Sequence, residues 1–372
     1  MEQRKFWVAF SLVKGIGAVR FRALLNYFGD LETAWQASPK ALMQAGLSEK
    51  MVGRLIEVRE TKDPDKMIQW IAQQNIQVLT WEDGSYPSLL KEIDQPPPVL
   101  YVKGEIQQDN DQSVAIVGTR KVTPYGRQVT EEVADYLARN GFTIVSGLAR
   151  GIDGIAHQTA LNAGGKTYAV LGCGVEQVYP PEHKKLAEQI IENGALISDY
   201  PPGTKPDAAN FPPRNRIISG ISQITVVVEA GETSGALITA TFAADQGRDV
   251  LAVPGNIYAP QSRGTNRLIA QGAFPYTGIA SLEALLKITS KRGQPNKHVI
   301  LPENEIEASL LNIMQNSNSM HIDEIVASSS LSIDIISATL TMMELKGMVD
   351  CAGGMTYSLR EVGASYVSEP DE

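Results

Sequence analysis

The sequence predicts an α/β protein built on a doubly wound parallel sheet, with a small helical domain before it and a winged-helix-like domain after it. Three observations predict this. Six short apolar runs, at 114–117, 143–145, 168–171, 195–197, 225–228 and 250–253, are each followed by a glycine-bearing loop and a helical stretch, the pattern of an extended Rossmann-like sheet. From 6 to 72 the apolar residues recur at helical spacing, broken by Gly15, Gly29, Pro39 and Gly46 into several short helices. Beyond residue 302 three helical patterns, near 303–315, 321–328 and 332–346, precede two short apolar runs around Gly353-Gly354.

The elements then follow in order. Residues 1–75 form a SAM-like domain, and Val13-Lys14-Gly15-Ile16-Gly17 before Arg20 and Arg22 reads as a helix-hairpin-helix turn or as a plain helical corner. Residues 76–290 form the Rossmann-like domain. It opens on an acidic connector, 76–112, with Pro96-Pro97-Pro98 and an extended run, 99–102, of edge-strand character. Residues 291–302 read as a linker and 303–372 as the winged-helix-like domain. A winged helix that reads duplex DNA presents Arg or Lys from its third helix. This one offers Ser332, Asp334, Ser337, Thr339, Thr341, Glu344 and Lys346, so it reads as a protein-interaction or packing module.

Hydrophobic residues make up 43% and charged residues 20% of the 372, which is globular composition. No apolar run approaches the roughly 18 residues a spanning helix needs, so no membrane role is expected. Cys173 and Cys351 have no CxxC partner, which fits a reducing cytoplasm. The four histidines lie far apart without ligand spacing, so no metal site is expected. The net charge of −9 is unevenly spread: 1–75 carries +3, whereas 300–372 carries −10. Any polyanion site therefore belongs to the first three quarters of the chain.

In an open parallel sheet the ligand binds outside the carboxyl ends of the strands. The unusual residues fall there: Gly118, Thr119 and Arg120 with Tyr125 after the first run; Gly147 to Asp153 after the second; Ser234 and Gly235 after the fifth; and the cluster Asn210, Phe211, Arg214, Arg216 between. Gly164-Gly165-Lys166-Thr167 is not a phosphate-binding P-loop, because it lacks the first glycine and enters a strand. Gly118 stands alone where a dinucleotide fingerprint needs three glycines. No catalytic triad or carboxylate pair is legible, and His157 reads as a buried structural partner. What remains is a partly basic crevice suited to a single-stranded polyanion, with Arg120 on phosphate and Phe211, Tyr125 and Tyr179 as candidates for stacking bases. Lys205 joins it by charge and position. Arg214 and Arg216 have a competing role, pairing internally with Asp199 or Glu229 to hold loops.

These residues also resemble the DprA/Smf DNA-processing family. The likeness rests on Gly118-Thr119-Arg120 with Tyr125-Gly126, Ser146 to His157, Phe211-Pro212-x-Arg214-Asn215-Arg216, Glu229-Ala230 with Ser234 to Ala240, and Ala252-Val253-Pro254-Gly255 followed by Gly264-x-Asn266-x-Leu268-Ile269. It implies a cytoplasmic mediator, without catalysis or cofactor, that binds and protects incoming single-stranded DNA and helps load RecA during natural transformation. It also implies a homodimer with Arg267, Leu268, Ile269, Phe274 and Tyr276 at or near the contact. The rival expectations are a nucleotide-processing Rossmann enzyme, a nucleotide or N-ribosyl hydrolase, and a scaffold with a vestigial crevice. The usual enzyme motif has a trailing acid that the stretch from Gly231 to Ile238 lacks.

Overall fold

The computed structural model describes residues 3–107, 112–287, 302, 304–314, 319–346, 348–351 and 354–359. They fall into two compact units, Met1–Ile288 and Thr289–Glu372. The linker expected at 291–302 lies outside the described residues except for Pro302, as does the tail beyond Leu359.

The first unit is built on strands β1 (Gln77–Thr80), β2 (Val99–Gly104), β3 (Ser113–Val117), β4 (Thr143–Ser146), β5 (Thr167–Val170), β6 (Gly194–Ser198), β7 (Ile224–Val227), β8 (Asp249–Ala252) and β9 (Phe274–Pro275). They form one sheet in the order β1-β2-β6-β5-β4-β3-β7-β8-β9. From β6 to β9 neighbouring strands are parallel, while β2 pairs antiparallel with β6 and β1 antiparallel with β2. The chain winds outward from β3 through β4, β5 and β6, then returns to lay β7 on the other side of β3. That reversal splays the loops after β3 and β7 apart and leaves a crevice between them.

Helices cover both faces, which explains strands that read as continuous apolar runs. Successive β3 residues alternate between two cores. Val114 and Ile116 face Val129, Val133 and Leu137 of helix Pro124–Arg139 and Ile152, Ala156 and Ala160 of helix Ile152–Asn162. Ala115 and Val117 face Ile217, Ile218 and Ile221 of helix Phe211–Ile221 and Leu237 and Ala240 of helix Gly235–Asp245. In the described residues no helix is long and apolar enough to cross a membrane.

The connector differs from its expected form. Its extended run is not an edge: β2 lies between β1 and β6, with Tyr101 opposite Ser198 and Val102 opposite Ile197. The edge is β1, a strand the sequence pattern did not predict. A four-residue strand carries almost no periodic signal of its own, and its pairing partners, Val99 to Val102, lie 19 to 25 residues further on. The N-terminal helices rest on this end of the sheet within the same compact unit. Trp7 stacks on Phe21 at 5.5 Å between ring centroids and meets Trp81, just after β1, edge-on at 5.7 Å. Val78, Val99 and Tyr101 share that core. At the hairpin of Gly15 to Gly17, Gly17 and Ala18 line a small cavity with Pro96 and Pro98, and Arg22 donates to the Asp94 carbonyl at 3.3 Å while lying over the Trp81 ring.

The second unit has helices Glu305–Met314, Ile322–Ala327 and Ile333–Leu345 and strands β10 (Met320–His321), β11 (Val349–Cys351) and β12 (Thr356–Leu359), paired in the order β10-β12-β11. This is a winged-helix arrangement. Lys346, the lone cation expected from the third helical pattern, bonds the buried Glu307 carboxylate at 2.7 Å.

Candidate nucleic-acid interface

At the reversal point opens a cleft of about 680 Å³. Gly118, Thr119 and Arg120 after β3 form one side, joined by Ala149 of the β4 loop and Asp153 in the first turn of helix Ile152–Asn162. Helix Phe211–Ile221 contributes Phe211, Arg214, Asn215 and Ile218, and Ser234, Gly235, Ala236, Ile238 and Thr239 close the far wall. Two helix starts therefore border it, where backbone N–H dipoles favour an anion.

Local chemistry sets these loops. Gly151 has φ +75°, and an added Cβ would lie 2.3 Å from the Thr119 carbonyl oxygen, so the β4 loop can lie on the β3 loop only with glycine there. Ile152 N–H then donates to Thr119 O at 3.2 Å. Glu229, after β7, is buried and accepts from Thr123 N–H at 3.0 Å and from the Thr123 hydroxyl, so it fastens the start of helix Pro124–Arg139. Asp153 is also buried, and its Oδ2 accepts from Gly147 N–H at 3.1 Å and Ala149 N–H at 3.3 Å. Burial holds its carboxyl above the usual range, with the Arg214 charge and these bonds opposing.

The three arginines separate sharply. Arg214 is 5% exposed and sits inside the wall. Its guanidinium donates to Gly147 O at 2.9 Å, to Val170 O and to Asn215 Oδ1 at 3.2 Å, clamping the β4 loop to β5. Burial weakens its hold on the proton, and Asp153 foremost among nearby groups restores it. Arg216 leaves the cleft and pairs with Asp199 at 2.7 Å, beside the seam with the N-terminal helices. Of the two roles open to Arg216, the structure shows the internal one. Arg120 is exposed on the rim, and no carboxylate within ion-pair distance is seen among the described residues.

Phe211 stands half-buried at the cleft mouth, stacked on Tyr179 at 5.6 Å between centroids and 30° between planes. The Arg214 guanidinium carbon lies over the Phe211 ring, 5.8 Å from its centroid. Gly172 makes room below: a Cβ there would come within 2.8 Å of the Phe211 ring. Tyr179 thus joins Phe211 in a two-ring platform. Tyr125 does not: it is outside the cleft lining, with its hydroxyl donating to Pro254 O at 3.0 Å. Gly147 sits behind Arg214 rather than on the surface, and its N–H is engaged by Asp153. Asn210 precedes the helix, and its carbonyl accepts from Tyr200 Oη at 3.2 Å. Lys205 is exposed one residue before the lining Pro206.

Sequence reasoning missed Ile238 and Thr239, which line the wall one turn beyond Ser234 and Gly235; that helical offset is the signal that places them. Asn215, within the expected segment from Arg214 to Arg216, donates from its side-chain amide to Gly235 O at 3.2 Å and joins the two wall helices. Among the residues expected at a subunit contact, Phe274 is exposed on the two-residue edge strand β9 and Leu268 and Ile269 are half-buried beside it. Arg267 is exposed and reaches the Glu232 carbonyl at 3.5 Å. Tyr276 is a correction: it is 6% exposed, packed among Val253 and Leu282, with its hydroxyl donating to Glu132 at 2.8 Å. Its backbone N–H donates to Ala252 O at 2.9 Å, which holds the residue against β8 just past the end of β9 and seats the ring in the core.

His157 is wholly buried, as expected of a structural partner. Thr167 Oγ1 already donates to Ile144 O at 2.7 Å, so the 2.6 Å bond to His157 Nδ1 takes its proton from the ring. Nε2 has no partner, and burial pushes the pKa down to about 3, with His183 and Arg214 adding to the fall. The unfolded chain binds this proton below about pH 6.5, whereas the folded chain does not. Stability is therefore undiminished above pH 6.5 and declines as pH falls, by about 1.4 kcal/mol per unit from this group. Urea titrations between pH 7 and about 5 should show that slope, and His157→Gln should remove most of it; an unchanged slope in the variant contradicts the assignment.

Comparison with known proteins places this geometry in a group. Residues 77–287 match the family described as DNA recombination-mediator protein A, and residues 294–355 match the DprA winged helix domain. Protein Smf of Synechocystis is 37% identical over 394 residues, covering 96% of this chain and 99% of that protein. DNA processing protein DprA of Bacillus subtilis is 38% identical over 248 residues, covering 64% of this chain and 84% of that protein. The crystal structure of DNA processing protein A from Streptococcus pneumoniae superposes with a TM-score of 0.66 at 32% identity, covering 76% of this chain and 97% of that one. A structure of DNA processing protein A from Helicobacter pylori, described as revealing its single-stranded DNA binding mode, gives 0.52 at 33% identity, covering 57% of this chain and 96% of that one.

Proposed function

Because this chain belongs to the DNA recombination-mediator protein A family, we propose that it is a recombination mediator whose cleft binds single-stranded DNA without catalysis. In this reading it protects incoming strands and helps load RecA during natural transformation, acting in the cytoplasm as a homodimer. The observation that carries the binding role is the pairing of an exposed Arg120 with two helix starts and the Phe211–Tyr179 platform around one open cleft. Guanidinium and amides suit phosphates, and stacked rings suit unpaired bases of any sequence.

The hydrolase alternative gains nothing from the site. Asp153 is the one acid among the described lining residues, and its carboxyl is turned to backbone amides. Glu229 is fastened to Thr123, and His157 lies in the core with its ring held neutral. General acid–base chemistry needs such groups within reach of a substrate. For the homodimer, the support is Phe274 exposed on the short edge strand β9.

An electrophoretic assay with single-stranded and duplex oligonucleotides, repeated across salt, tests the binding role. Oligo-dT is expected to shift, with log affinity falling against log salt by about 0.7 per neutralised phosphate, and duplex to shift less. No shift at low salt rules the reading out, and turnover of nucleoside monophosphates would revive the hydrolase.

A further inference from the structure

We propose that a second groove, on the N-terminal helices, takes the continuation of a single strand leaving the cleft; this rests on the single-strand reading of the cleft. The groove has a volume of about 470 Å³. Its floor is Val8 and Leu12. Its walls are Met67 and Trp70 of helix Pro64–Gln73 on one side and Pro201 and Pro202 of the first unit's Rossmann-like part on the other.

Trp70 is 45% exposed. Trp7, Trp35 and Trp81, by contrast, each lie in ring contacts of the aromatic core. An indole open on one side is a stacking surface that accepts any base. Lys62 and Lys66 stand on the rim, both exposed. Asp63 is the acid of the lining; its Oδ1 caps the helix, accepting from Asp65 N–H at 2.9 Å and Lys66 N–H at 3.3 Å, and its Oδ2 lies 3.9 Å from Lys66 Nζ, so Lys62 is the rim cation with the fuller charge to offer. Aromatic face, apolar floor and cationic rim together fit a polyanion with planar bases better than an apolar peptide.

The groove is also close to the cleft along the chain. Pro202 lines the groove and Pro206 lines the cleft, so the connecting segment spans at most roughly 14 Å. Lys205 is exposed on that segment, giving a cation between the two sites.

The test uses the full chain with oligo-dT of two lengths, about 5 nucleotides to fill the cleft alone and about 30 to reach beyond it. Trp70→Ala should weaken the long oligomer about tenfold and leave the short one unchanged. Lys62→Glu with Lys66→Glu should lower the salt slope for the long oligomer by about 1.4. In the unaltered protein the long oligomer alone should quench tryptophan emission, and Trp70→Phe should abolish that quenching. If these variants bind both lengths as the unaltered protein does while Arg120→Glu weakens both, this inference is overturned and the cleft reading stands. If the unaltered protein binds neither length, both fall.

Discussion

Arg120→Glu is expected to weaken oligo-dT binding by at least about tenfold, and to flatten the salt dependence, without lowering the melting temperature. The size follows from what this side chain does and does not touch. It stands on the cleft rim beside Gly118 and Thr119, exposed and without a carboxylate partner among the described residues. Removing it therefore leaves no buried group unsatisfied, and a surface change of this kind shifts stability by no more than about 0.5 kcal/mol. Its value lies in a charge-assisted bond to phosphate, and reversal replaces that attraction with repulsion next to two helix starts. The measurement is a salt series of binding isotherms alongside thermal melts. A correctly folded variant that keeps both affinity and slope removes Arg120 from the interface.

Arg214→Ala should act in the opposite manner, destabilising the first unit by about 3–5 kcal/mol and lowering its melting temperature by roughly 10 °C. Here the guanidinium is inside the wall, holding Gly147 O and Val170 O together and balancing the buried Asp153 charge. Without it two carbonyls lose their donor and a carboxyl is stranded in low dielectric. Phe211 also loses the cation beneath its ring. Arg214→Lys should recover only part of the loss, because a single ammonium on a shorter stem cannot keep both carbonyl bonds of Nη1 together with the Nε bond to Asn215. If Arg214→Ala melts with the unaltered protein and only DNA binding is lost, the side chain is a direct ligand and not a clamp. The Arg120 and Arg214 variants together thus separate contact from support within one cleft.

The two arginines illustrate how far the linear pattern reaches. Arg120 follows Gly118 at the end of an apolar run and Arg214 follows Pro212-Pro213, and nothing in their sequence neighbours tells which is desolvated. Arg216, two residues from Arg214 on the same helix, is turned about 200° around the axis and so meets Asp199 rather than the cleft. Tyr125 and Tyr276 raise the same difficulty: each sits in a suggestive segment, yet one ring is directed to Pro254 and the other into the core.

The sequence by itself determined the parallel sheet, its crevice loops and the two helical flanks. Strand runs buried on both faces, glycine turns and helix periodicity are local signals, readable over a handful of residues. It also marked which segments would border the cleft, because ligand loops follow strand ends in this topology. Only the tertiary structure decided that the acidic connector supplies β1 and an interior β2, that Arg214 is a clamp while Arg120 is exposed on the rim, and that Trp70 opens onto a groove near the cleft. Those outcomes depend on which distant residues share a neighbourhood, and so on desolvation and pairing that no local pattern encodes.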